Sequence, residues 1–373
     1  SALMSAACGG PDVIVEPEPE VQEIPGVPRA ALEAFQRGTM ALEEEPPDYE
    51  AARGHFEHVV EVDPTFWEAW MNLGVLYTDM ALYNDAVDAF NQVLSFEENS
   101  IDALMGKGQA AALGGRRDDA LGAFRAVLAQ QPENLDAKVN IASSYVDAGD
   151  YAQARTFINE VLVAEQNNAA ALNLLGRIYY EEGDHNMALY LWEKVVGLDD
   201  VSADALNNLG LLLIERGELS RAVRNFREVV NMDPANVAAH LNLGAIYLDH
   251  INYGAAYDEF EVALSLRPRH QAALMGRAAS LYGLGRSEEA YSAYETVASN
   301  YPNNSQAMWR MCELAFRDLD DLNSALGWCE RNLELRGMQA STCDTSSDEV
   351  CARTNAIQQM LRQSGGPQAD GGS

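Results

Sequence analysis

The sequence is short of cations. Its 373 residues hold 25 Lys and Arg against 57 Asp and Glu, a formal net charge of −32 at pH 7. Nucleic-acid binding depends on Lys and Arg that release counterions from phosphates, and anionic membrane surfaces attract basic segments. So acidic a surface repels both and favours basic or uncharged protein partners. No run of 18 or more apolar residues occurs, which excludes a hydrophobic transmembrane helix. Histidine is scarce: of six, only His55 and His58 are neighbours, spaced i,i+3 beside Glu57 and Glu61. That spacing reads as an exposed polar helix face rather than a metal site. Phosphate-binding, G-x-S-x-G, H-E-x-x-H and dinucleotide-glycine motifs are all missing. Carboxylates are spread along the chain, with no isolated pair of the kind acid–base catalysis uses. The Asp318–Asp321 run lacks the glycine and closing glutamate of a calcium loop and reads as a solvated turn. No catalysis, metal or cofactor is expected.

Cysteine is missing from the whole middle of the chain. One stands at Cys8, and four cluster late, at Cys312, Cys329, Cys343 and Cys351. Four late cysteines suit two disulfides in an oxidising compartment; four reduced thiols in a cytosolic protein are the alternative. A zinc site fits poorly, because no C-x2-C spacing occurs and no histidine lies near.

What is present is a repeat. Self-similarity at a period of 34 residues runs from about Trp67 to Asn304. Within each period, Leu-Gly recurs at positions 7 and 8 (Leu73-Gly74, Leu175-Gly176, Leu209-Gly210, Leu243-Gly244), and tyrosine at 11 (Tyr77, Tyr145, Tyr179, Tyr247). Alanine holds position 20 in seven consecutive periods, from Ala86 to Ala290. A large residue holds position 24 (Phe90, Phe124, Ile158, Trp192, Phe226, Phe260, Tyr294), and proline often falls at 32 (Pro132, Pro234, Pro268, Pro302). An earlier period over 31–66 has a two-residue insertion, and a later one from Ser305 slips by one residue before Ala325.

This pattern resembles the tetratricopeptide repeat (TPR) over nearly the whole chain. The resemblance implies an all-α, right-handed superhelical solenoid of about nine helix–turn–helix units. Those units fall near 31–66, 67–100, 101–134, 135–168, 169–202, 203–236, 237–270, 271–304 and 305–338. The small residue at 8 is expected to meet the alanine at 20, letting the helices of a pair approach. Aromatics at 11 and 24 then fill the space between helices, and proline ends the second helix. Each pair alone leaves an apolar face that stacking covers.

The resemblance places positions 2, 5, 9, 12 and 13 on a concave groove lined by the first helix of each pair. Here they include Met71, Val75, Met105, Leu113, Val139, Val146, Asn207, Leu211, Ile214, Leu241, Leu248, Met275, Tyr282, Trp309 and Phe316. Carboxylates stand among them, including Glu68, Asp79, Asp102, Asp136, Asp147, Glu181, Asp204, Glu215 and Asp249. Cations are few, mainly Arg177 and Arg317, so the carboxylate clamp of some TPR proteins is not expected. Asparagine recurs at position 6 (Asn72, Asn140, Asn208, Asn242), either to bond a ligand backbone or as part of the general repeat consensus. An apolar lining in an acidic frame suits a protein segment with apolar anchors and Lys or Arg.

Both ends differ from the repeat. Ser5-Ala6-Ala7-Cys8 resembles the lipobox that closes a bacterial lipoprotein signal peptide, with Ser5 where leucine is usual. This resemblance implies lipid on Cys8 as the one tie to a membrane; Gly9 after the cysteine, rather than Asp, implies the periplasmic face of the outer membrane. Residues 9–28, with five prolines and five acids, read as an extended tether reaching on the order of 60 Å. At the other end, Cys312 at position 8 and Cys329 near position 24 lie on facing helices of the last TPR-like pair. Of three possible pairings, Cys312–Cys329 with Cys343–Cys351 is favoured. Residues 339–363 read as a disulfide-linked loop and a capping helix, from about Asp348 to Arg362, and 364–373 as a flexible tail.

These features imply a non-catalytic protein-binding scaffold in the bacterial cell envelope. Lipobox and repeat together resemble lipoproteins that assist type IV pilus and secretion pores, and TPR lipoproteins of gliding motility. A soluble cytosolic co-chaperone or adaptor is the alternative, and it predicts reduced thiols. An enzyme needs a separate domain of about 100 residues, and no such non-repeat stretch remains. Homo-oligomerisation stays open.

Overall fold

The computed structural model of the chain describes residues 26–44, 47–198, 202–340 and 342–364. Cys8 and most of the tether lie outside these residues, as does the tail from 365 on. Among the described residues every regular element is an α-helix. The first eight helices are α1 (Arg29–Glu43), α2 (Tyr49–Val62), α3 (Trp67–Asp79), α4 (Tyr83–Phe96), α5 (Ile101–Leu113), α6 (Arg117–Gln130), α7 (Leu135–Asp147) and α8 (Tyr151–Ala164). Next come α9 (Ala169–Glu181), α10 (His185–Val196), α11 (Ala203–Glu215), α12 (Leu219–Met232), α13 (Val237–Asp249) and α14 (Tyr253–Leu266). The last are α15 (Gln271–Gly283), α16 (Ser287–Asn300), α17 (Ser305–Arg317), α18 (Leu322–Leu335) and α19 (Glu349–Ser364).

Local chemistry sets the helix ends. Before α5, α7, α9, α11, α13, α15 and α17 stands a capping residue whose side chain accepts the N–H three residues on: Ser100, Asn134, Asn168, Ser202, Asn236, His270 and Asn304; Pro28 and Phe66, before α1 and α3, make no such bond. Such caps satisfy one of the donors a helix start leaves orphaned. Asp150, Asp184 and Asn252 cap second helices in the same way. Between the two helices of a pair, one residue takes the left-handed region that glycine adopts at no steric cost. Gly115, Gly149, Gly183, Gly217 and Gly285 hold it, but Ala81 and Ile251 hold it in their own turns. The slip after α17 is a four-residue turn in which Asp320 takes the positive φ and Asp321 caps α18.

The chain falls into two compact units, Ser1–Leu174 and Leu175–Ser373. In the first, α1 pairs with α2, α3 with α4, α5 with α6 and α7 with α8. Successive pairs join there through α2–α3, α4–α5 and α6–α7, and the first helices α3, α5 and α7 lie side by side. In the second, α11 to α18 pair in the same way, α13 lies beside α15, and α19 packs on α18. This is an all-α repeat solenoid.

Within pairs, the nearest neighbour of a position-8 glycine is the ring at position 24. A Cβ on Gly74 would meet Phe90 at 2.6 Å, on Gly108 Phe124 at 2.4 Å, and on Gly210 Phe226 at 2.5 Å. The small residue makes room for a ring, which is itself fully buried at Phe90, Phe124 and Phe226. Position 3 is a second small-residue site, and it too recurs in the sequence: Ala69, Ala103, Ala137, Ala205, Ala239, Ala273 and Ala307 are all fully buried. Between pairs, the position-11 tyrosines reach back by 20 residues. Tyr77 donates to Glu57 at 3.0 Å, while Arg125 donates to Tyr145 and Arg227 to Tyr247, each at 2.8 Å.

Candidate protein-binding surface

In the first unit, the adjacent first helices α3, α5 and α7 carry the predicted groove residues. Val75 and Leu113 are 52% and 61% exposed. Met71 and Met105 are only half-buried handles, resting on the core around Phe90 and Phe124. Val139 is half-buried as well, with Asp136 and Asp147 exposed at its sides. Val146 departs from expectation: at 4% exposure it belongs to the core. The helix has turned its position-12 side chain inward there, so the surface loses one handle. Asp79, at the end of α3, has its carboxyl pushed above the ordinary range by burial.

In the second unit, Leu211 on α11 and Tyr282 on α15 are 44% and 40% exposed. Ile214 is half-buried, and Leu241, Leu248 and Met275 lean on the cluster built from Leu274, Leu281 and Tyr294. Asp204 on α11 and Asp249 on α13 are exposed. The accessible apolar handles are therefore fewer than the motif positions, because side chains at positions 5 and 12 also pack on their own core.

Asparagine turns inward more than expected. Asn140 donates to the carbonyl of Asp136 in its own helix, at 3.0 Å. Asn207 is half-buried, and its Oδ1 is buried without a hydrogen-bond partner. Asn208 is engaged within the protein.

Two features of this surface escaped the motif. Tyr180, at the position after the repeat tyrosine, donates its hydroxyl to Glu215 and stacks on His185 with ring centroids 4.9 Å apart. That hydrogen bond, with burial second, pushes the hydroxyl pKa up to about 12, so Tyr180 stays a proton donor. Glu215 also faces His185 Nδ1 at 3.8 Å. It is thus held by its own chain and contributes less to an acidic frame than its position implied.

The second feature lies at the chain's end. Arg317 Nε lies 2.9 Å from Glu313 in an ion pair. From α19, Arg353 Nε reaches the other oxygen of the same carboxylate at 2.6 Å and lies over the Phe316 ring, 4.3 Å from its centroid. Trp309 and Phe316, expected to line an open groove, thereby join a cluster with α19. Cations at the motif positions stay few, and the second guanidinium comes from a helix outside the repeat.

Sulfur atoms pair at bonding distance. Cys312 and Cys329 have Cα atoms 5.3 Å apart, and Cys343 and Cys351 5.9 Å. Cys351 sits in the buried face of α19 with Val350, Thr354 and Ile357. Among the described residues, no group of three or more His, Cys, Asp or Glu is placed to hold a metal. His58 lies 3.6 Å from Glu61 on an exposed face.

Family comparison agrees with this architecture. Models described as tetratricopeptide repeat match residues 79–135, 111–178 and 272–304, and one described as TPR repeat matches 210–250. No curated protein sequence matches the chain. A Pseudomonas aeruginosa structure reported as the functional characterization of pilF is 20% identical, covering 62% of this chain and 99% of its own at TM-score 0.50. The APC/C hetero-tetramer Cut9–Hcn1 structure is 11% identical, covering 88% of this chain and 76% of its own at TM-score 0.54. At these identities the likeness is one of fold. Repeat register, helix pairing and family models agree, and the chain belongs to the tetratricopeptide-repeat proteins.

Proposed function

We propose that this protein is a non-catalytic scaffold that binds apolar, basic segments of other proteins on its first-helix faces. It is held at the periplasmic side of a bacterial outer membrane by lipid on Cys8 and supports assembly of a motility, pilus or secretion machine. The observation that carries the binding reading is the exposure of Leu211 and Tyr282 on first helices of the second unit, where Asp204 on α11 and Asp249 on α13 are exposed as well. Apolar anchors of a bound segment would cover the first pair, and its Lys or Arg would meet the second. Half-buried Met275 supplies an adaptable floor. Two cysteine pairs at bonding distance support an oxidising compartment.

The test is in-cell photo-crosslinking from a benzophenone residue in place of Leu211. The expected result is one dominant envelope protein, lost when neighbouring Ile214 and Leu241 are changed to Glu. Adducts from Arg227 on α12 but none from Leu211 would place the partner on the second-helix face instead. Mass spectrometry of the N-terminal peptide checks the lipid, and thiol counts with and without reductant check the compartment.

A further inference from the structure

On the second unit's first helices Arg177 lies on α9, while Arg317 on α17 is joined by Arg353 from α19. Over α11 and α13 the face carries Asp204 and Asp249, both exposed. Where α17 meets α19, Arg317 and Arg353 stand on either side of one carboxylate, Glu313, which is 14% exposed. Arg353 gives that carboxylate its Nε, and Arg317 approaches it with Nε at 2.9 Å. Among the described residues, the terminal nitrogens of neither guanidinium donate to a protein acceptor. An arginine offers five donors in a rigid fork suited to a carboxylate, so both forks are half used.

The surroundings hold the Arg353 fork in place, while Arg317 is 56% exposed. Arg353 is 20% exposed, stacked on Phe316, and sits on a helix fixed by Gln358 to Glu330 and by Asn355 to the Ala340 carbonyl. Between α17 and α19 lies a cavity of about 380 Å³, lined by Trp309, Glu313, Arg317, Arg353 and, at its rim, the exposed Glu349. Two guanidinium groups and two carboxylates line it, Glu313 covered and Glu349 exposed, with an indole as the apolar wall.

We propose that this cavity seats a carboxylate of the bound protein segment, an Asp or Glu side chain at one end of an otherwise apolar and basic stretch. The inference rests on the groove reading above and adds polarity to it. The basic part of the segment lies over α11 to α15, and its acidic end docks between Arg317 and Arg353. The pocket thereby fixes which way the segment runs. A charge-assisted, two-armed contact gives geometric specificity as well as affinity.

The test uses the full chain and fluorescein-labelled amphipathic helical peptides of leucine and lysine. One carries Asp-Asp in its first turn, one Asp-Asp in its last turn, and two controls carry Asn-Asn at those places. One acid-ended peptide should bind about 5–10-fold more tightly than its amide control, an advantage that shrinks at high salt. Arg317→Gln should remove that advantage, and Arg227→Gln should leave it. Because Arg353→Gln also takes a contact from α19, Arg317→Gln, which leaves the contacts of Gln358 and Asn355 in place, is the deciding variant. Its helix content is checked by circular dichroism. Equal affinity for acid- and amide-ended peptides, with both lost in the Leu211→Glu/Ile214→Glu variant, would overturn the carboxylate pocket and leave the groove reading standing. No binding by any peptide, or binding indifferent to the Leu211 and Ile214 changes, would overturn the groove reading and this inference with it.

Discussion

Cys312 and Cys329 face each other with Cα atoms 5.3 Å apart, at the two places where Gly210 faces Phe226 and Gly244 faces Phe260 in earlier pairs. A covalent link thus replaces a glycine–ring contact in the last pair. A bridge closing a loop with a sequence separation of 17 contributes about 3 kcal/mol in the chain-entropy account. Reductant should therefore loosen α17 and α18 by about that amount, read as faster amide exchange in those helices. Cys312→Gly with Cys329→Phe should recover part of the loss and make exchange indifferent to reductant. Unchanged exchange on reduction would count against a stabilising bridge.

Ile251 offers a stability gain. It is β-branched, 72% exposed and held at φ 61°, a region that costs an L side chain roughly 1–2 kcal/mol. Five other turns place glycine at the equivalent position. Ile251→Gly should raise the stability of its helix pair by about 1 kcal/mol, less the flexibility glycine adds to the unfolded chain. Urea titration of the variant checks the sign. A loss would mean that the exposed isoleucine makes a contact worth more than the strain.

Gly210→Ala should do the opposite. The added methyl would sit 2.5 Å from the Phe226 ring, and that ring is fully buried with nowhere to move. Overpacking of this kind costs about 1–3 kcal/mol. Gly210→Ala combined with Phe226→Leu should recover much of it, as measured by urea unfolding.

The docking of α19 should depend on pH. Asp348 caps that helix, accepting from the Cys351 N–H at 3.0 Å, and pairs with Arg336. The Arg336 hydrogen bond holds its carboxyl below the ordinary value of 3.8, with the cap bonds helping and burial opposing. A carboxyl depressed in the folded state takes up its proton only at lower pH than in the unfolded chain. Its contribution is therefore present above the ordinary value and is lost as pH falls through the folded one. Amide exchange in α19 should accelerate across that acid window. Asp348→Asn, which keeps a capping side chain but not the charge, should show weaker protection at neutral pH and a flatter acid response.

Much of this molecule could be read from residue order. Helix pairs, the odd turn before Asp321 and the facing of positions 8 and 24 all repeat or break a 34-residue rhythm, because each arises from contacts within one pair or with its neighbour. The character of the surface was less legible. Val146 and Leu211 both occupy predicted groove positions, yet one is buried and the other 44% exposed, since the neighbours each helix packs against set how far a side chain is covered. Tyr180–Glu215 and Arg353–Glu313 join residues 35 and 40 apart in sequence. Sequence alone determined the repeat and its register, since those follow from spacing along the chain. The tertiary structure alone decided which carboxylates are already held and that α19 brings a second guanidinium to Glu313, because both depend on how neighbouring helices stack, not on the period within any one of them.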